Sequence, residues 1–132
     1  MAMYESNFLR LLNLVPDLHQ LDGCYRSRVA GDIPLHFDVL ERERYTLTLA
    51  MTYYFETDNG TVADPDMLVR VYLDGQQAEA VSLRSSHRHV GLQRLCRAHS
   101  HELNERWTRN VVFNKWLEYL LDQGHLILEY QA

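Results

Sequence analysis

Cysteine is scarce in this sequence, and so are proline and glycine: two, three and six residues respectively in 132. Two thiols, Cys24 and Cys96, cannot staple a small secreted scaffold, and a reducing compartment would leave both free. The low proline and glycine content excludes collagen-like and low-complexity chains. No stretch approaches the roughly 18 consecutive apolar residues of a membrane-crossing helix. Residues 1–7 lack the basic-then-apolar layout of a secretory leader, so the expected location is the cytoplasm and no membrane partner is expected. Positive charge is also short: 13 Lys and Arg stand against 18 Asp and Glu, a net charge of −5. With a pI near 5.7, general nucleic-acid affinity is not expected. There is no nucleophile elbow, no phosphate-cradling glycine loop and no dinucleotide fingerprint.

What the chain does contain is the material of a globular domain. Apolar residues make up 46% and charged residues 23%, and a chain of this length is expected to form one domain over residues 1–132. Tyr4, Phe8, Leu11, Leu12 and Val15 recur at helical spacing, and Pro16 ends that helix. From Cys24 the period falls to two. Short strands are expected over residues 24–29 and 35–41, and a long one over 45–55, where β-branched and aromatic residues are dense. Residues 56–66 read as an acidic loop containing Gly60 and Pro65. Residues 67–73 and 78–83 alternate around Asp74-Gly75, the signature of a hairpin with a two-residue type I′ turn. Asn104 is placed to cap a helix over residues 105–123, with Phe113, Trp116, Leu117 and Leu120 as its apolar stripe and Gly124 just past its end. Trp107 falls on the opposite side of that helix from Trp116. Residues 126–130 alternate once more and predict a last edge strand, unguarded by proline or lysine, which would suit a homodimer contact. The expected architecture is α+β: an antiparallel sheet of about five or six strands, packed on one face by an N-terminal helix and a long C-terminal helix.

Three stretches carry a resemblance. Glu5-Ser6-Asn7-Phe8 with Leu11-Leu12 and Pro16 is the first. The second is Met67-Leu68-Val69-Arg70-Val71-Tyr72-Leu73-Asp74, running into Ala78-Glu79-Ala80-Val81. Asn104-Glu105-Arg106 through Asn110, Trp116-Leu117, Tyr119, Leu121 and Gly124 is the third. Together they resemble the YqiB-like family of small, uncharacterised proteobacterial proteins. The resemblance implies a cytoplasmic bacterial protein and brings with it no known activity.

The side chains able to do chemistry point to binding rather than to a reaction. Arg70 and Glu79 fall opposite each other across the Asp74-Gly75 hairpin, either as a cross-strand ion pair or as a guanidinium fork offered to an anion. Arg84, Arg88, Arg94 and Arg97, with four histidines and no acid, make residues 84–101 positive within an acidic chain. Such a segment attracts phosphate or carboxylate, more strongly below about pH 6.5 as histidine gains charge. His87, His89, His99 and His101 have the alternate spacing of metal ligands, but no carboxylate supports them. They are read as solvated histidines, and no metal or other cofactor is expected. Cys96, flanked by Arg94, Arg97 and His99, is read as a small buried hydrophobe rather than a nucleophile. Glu56, Asp58, Asp64 and Asp66 do not have the spacing of a cation-binding loop. Two function classes remain. The first is a non-enzymatic binding or interaction module for a small anionic ligand or a protein partner. The second is a small hydrolase with acid/base residues in the loops.

Overall fold

The computed structural model describes residues 2–84 and 105–128. In chain order the elements are α1 (Ala2–Leu14), β1 (Cys24–Ser27), β2 (Leu35–Arg42), β3 (Thr46–Thr57), β4 (Gly60–Tyr72), β5 (Gln77–Arg84) and α2 (Glu105–Asp122). The five strands form one antiparallel sheet in the order β1-β2-β3-β4-β5. This is a meander, each strand pairing with its neighbour in sequence.

Alternation along the strands sends every second side chain to the helix side. Leu35 and Phe37, Leu47, Leu49, Met51 and Tyr53, Met67, Val69 and Val71, and Ala78 and Ala80 there form a core cluster with α1 and α2. The helices contribute Phe8, Leu11 and Leu14 on one side and Phe113, Trp116, Leu117 and Leu120 on the other. The apolar stripe of α2 thus packs with the apolar face of β3 and β4, as the two periodicities predict. Trp107 is half exposed, on the far side of α2 from the buried Trp116.

A second device, invisible to hydropathy, joins the helices to each other and to β5. Asn7 donates to the Ala78 carbonyl at 3.1 Å and to Asn110 Oδ1 at 3.3 Å, and its own Oδ1 accepts from Asn114 at 2.9 Å. Asn110 Oδ1 accepts the Ala80 N–H at 2.8 Å, while Arg109 Nε donates to the Ala80 carbonyl at 2.8 Å. An edge strand leaves every other backbone group unpaired. Here side chains of α2 satisfy both groups of Ala80. This is why Asn7 is buried in α1 beside Phe8, although a purely apolar reading of that helix passes over it.

Several boundaries differ from the expectation. Residues 56–66 are not a loop: β3 and β4 continue to a tight turn at Asp58-Asn59, with Thr57 paired to Gly60 at φ 110°. Pro65 cannot donate to a ladder, and the strand accommodates it where the register slips between Thr52 and Tyr54, a bulge that needs no bond from that nitrogen. The Asp74-Gly75 hairpin keeps the predicted register, with Arg70 facing Glu79. Its loop, however, is four residues long, and the left-handed position is Gln76 (φ 54°) rather than glycine. Tyr45 lies in the β2–β3 turn and is exposed. Residues 125–128 form no strand. Ile127 is buried there, and its N–H donates to the Leu14 carbonyl at 2.9 Å. Any two-fold pairing would therefore have to use another edge than residues 126–128.

Candidate functional site

Among the described residues two places concentrate polar chemistry. The first begins at the end of α2. Gly124, at φ 92°, donates to the Leu121 carbonyl, and His125 donates to that of Leu120. These are the paired bonds of a Schellman turn, and they direct the His125 ring inward. Its Nδ1 lies 2.9 Å from Ser27 Oγ, and that oxygen also accepts the Leu126 N–H at 3.1 Å. Its Nε2 lies 2.8 Å from Asp32 Oδ2, which also accepts the Tyr53 hydroxyl at 2.8 Å. Burial pushes the Tyr53 phenol well above its ordinary range, with the Asp32 charge adding to the rise, so it remains a donor. Trp116 stands edge-on to the Tyr53 ring at 5.3 Å, and its buried Nε1 has no hydrogen-bond partner among the described residues.

Serine, histidine and aspartate together are the groups of acyl transfer. Here the side chains of His125 and Asp32 are 0% and 2% exposed, and Ser27 is 2% exposed. Ser27 is already engaged by backbone and imidazole, so this array presents no nucleophile to solvent. What it does is fasten the β1–β2 loop, β1, β3 and the segment after α2 at one buried point.

The second place lies on the opposite face of the sheet. Arg26, His36, Thr52, Asp66 and Arg84 occupy matching register positions across all five strands. At the β1 end of this row a pocket of about 490 Å³ is lined by Arg26, Arg28, Pro34, His36, Tyr54, Glu56 and Thr61. Arg28 and Pro34 flank the loop whose Asp32 is held from beneath, and Tyr54 follows Tyr53 in β3, so the buried network and the pocket share their framework. The His36 ring meets the Tyr54 ring edge to face at 4.6 Å and 89°. Among the described residues neither Arg26 nor Arg28 is ion-paired with a carboxylate. Burial first, then the Arg26 charge, lowers the His36 imidazole below its ordinary value; Arg28 acts in the same direction and Asp38 opposes. The pocket therefore sets a histidine whose neutral form is favoured beside two guanidiniums that have no carboxylate partner among the described residues, a setting that favours an incoming anion.

The residues singled out from sequence fall elsewhere. Arg70 is exposed and faces Glu79 in register. The Glu79 carboxylate accepts from Tyr72 Oη at 3.0 Å and from Arg106 at 3.1 Å, the latter an ion pair with the first turn of α2. Arg84 ends β5, at the far end of the polar row from the pocket. Arg88, Arg94, Arg97, Cys96, His87, His89, His99 and His101 lie outside the described residues. Asp64 is buried, Asp66 accepts from Thr52 at 3.2 Å, and Glu56 sits at the pocket. Among the described residues no three His, Cys, Asp or Glu side chains are placed to hold a metal ion. A hydrogen bond to Asp38 pushes the exposed Cys24 thiol up, away from a reactive thiolate. Neither Arg26, Arg28, His36 and Tyr54 nor Ser27, Asp32, Tyr53 and His125 stands out along the chain. The one available signal was alternation, which places Arg26, His36 and Tyr54 on the face away from the helices.

Among the described residues no helix is long and apolar enough to cross a membrane. A family model described as a protein of unknown function, DUF1249, matches residues 10–126. No curated protein and no solved structure matches the chain.

Proposed function

The chain belongs to the DUF1249 family, whose function is unknown, and from the geometry of its pocket we propose that it is a non-enzymatic binding module for a small anionic ligand. The observation that carries this reading is the pair Arg26 and Arg28, without carboxylate partners among the described residues, in one pocket with His36 and Tyr54. A guanidinium offers parallel donors that match phosphate or carboxylate oxygens. The exposed Tyr54 ring supplies an apolar wall for whatever carries the anion. The likeness of three stretches to YqiB-like proteins carries the further proposal that the protein works in the bacterial cytoplasm.

The test is a calorimetric titration at low ionic strength with phosphate, a mononucleotide and an acidic peptide, at pH 6 and pH 8. The reading expects saturable binding of at least one of them, stronger at pH 6, and lost when Arg26→Ala and Arg28→Ala are combined. Absence of binding at low ionic strength, or binding indifferent to both substitutions, overturns it.

A further inference from the structure

The pocket is not uniformly positive. Arg26 and Arg28 stand at its β1 side, while Glu56 and Thr61 stand opposite each other near the tip of the β3–β4 hairpin, with His36 and Tyr54 between. Glu56 is exposed, and its described interaction is a long contact with the Thr61 hydroxyl, at 3.4 and 3.5 Å to its two oxygens. A carboxylate on the rim of an anion pocket repels the ligand unless the ligand brings a positive or donating group to meet it. Building on the anion reading, we propose that the ligand is bipolar: an anionic group held by Arg26 and Arg28, and an ammonium or similar donor held by Glu56 across the Tyr54 ring.

The sheet sets the separation of the two ends. Arg26 is two strands from β3, and Glu56 is four residues further along β3 than Thr52, which shares the Arg26 row. At about 4.8 Å between strands and about 3.3 Å per residue, the two backbones stand roughly 16 Å apart. Both side chains can extend inward, which leaves a gap of several ångströms for the ligand. An α-amino acid, whose ammonium and carboxylate are borne on the same carbon, spans the least distance of such ligands. The class that fits is a phosphate or carboxylate joined to an amine through a spacer of a few atoms, with the spacer lying against Tyr54.

The experiment compares 3-aminopropyl phosphate with propyl phosphate on the full chain, in the wild type and in Glu56→Gln. The two probes share their anion and differ by one ammonium. The amine-bearing probe should bind the wild type about fivefold more tightly, the scale of a partly exposed ion pair with hydrogen bonding. That ratio should fall to about one in Glu56→Gln. Equal affinities in the wild type, or a preference that survives Glu56→Gln, overturn the bipolar ligand while propyl phosphate binding leaves the anion pocket standing. If neither probe binds, the bipolar ligand is overturned, and the anion reading stands or falls with the titrations of phosphate, mononucleotide and acidic peptide. Circular dichroism of Glu56→Gln matching the wild type assigns any change to the pocket, because Glu56 is at the surface.

Discussion

His125 Nε2 lies 2.8 Å from Asp32 Oδ2, a buried contact between residues 93 positions apart in the chain. It brings the segment after the last helix onto the loop after the first strand, and through Tyr53 it reaches the centre of the sheet. Removing one partner of such a pair leaves the other buried without its mate. Asp32→Ala should cost about 3–5 kcal/mol, read as a lower urea midpoint at unchanged slope. His125→Ala combined with it should cost clearly less than the sum of the two single changes, because both remove the same contact. Additive effects would mean that the pair does not act as a unit.

Trp116 is the largest fully buried side chain, packed in the core with Tyr53 and the strand residues of β3 and β4. Trp116→Ala should cost about 3–5 kcal/mol. An unchanged denaturation midpoint would contradict the packing described. Trp116→Phe should cost less, because it also removes the buried indole N–H that has no partner among the described residues.

Arg42 is a structural arginine with a specific task. Its guanidinium donates to the carbonyls of Leu18, His19 and Leu21, which lie just past α1. Lysine keeps the charge but cannot span three acceptors with one planar fork. Arg42→Lys should lower stability by about 1.5–3 kcal/mol and speed amide exchange at Gln20 and Leu21, whose N–H groups close that turn onto Asp17. Exchange there at the wild-type rate would show that the turn holds without Arg42.

His36 gives the pH signature of the pocket. Burial, and then Arg26, lowers its pKa, so the folded protein favours the neutral ring. As pH falls below about 6.5, the ordinary imidazole value, the unfolded chain takes up the proton before the folded one. Stability contributed by the neutral ring is therefore present above the ordinary value and lost as pH falls through the lowered one. His36→Gln should flatten that part of the stability profile. Phosphate in the pocket should raise the titration midpoint seen by NMR, since an anion favours the charged ring. A His36 resonance titrating at or above the ordinary value without ligand would reject this account.

Much of the architecture was open to local reading. Alternation in β3 and β4 assigns Leu47, Leu49, Met51, Val69 and Val71 to one face, and the spacing of Phe113, Trp116, Leu117 and Leu120 assigns the stripe that covers them. The Arg70–Glu79 register follows from simple counting outward from Asp74-Gly75, although the turn itself is of another kind. The strand through Asp64 and Pro65 was hidden, because acids and proline speak locally for a loop while the paired β3 holds them in a ladder with a bulge.

The site was less legible, for a related reason. Period and composition describe one element at a time, so they assign strands, helices and their buried faces. They carry no information on which polar residue of one element meets which residue of another. Arg26 and His36 become neighbours only through strand pairing, and His36 reaches Tyr54 diagonally, two residues along β3 from its own partner Thr52. Ser27, Asp32 and His125 meet because the glycine turn after α2 carries the chain back over β1. Hydrophobic burial is nearly non-directional and leaves its mark in the linear pattern. Hydrogen bonds and charge contacts act over about 3 Å with fixed geometry, so the pocket and the buried network exist only once the whole chain has folded around them.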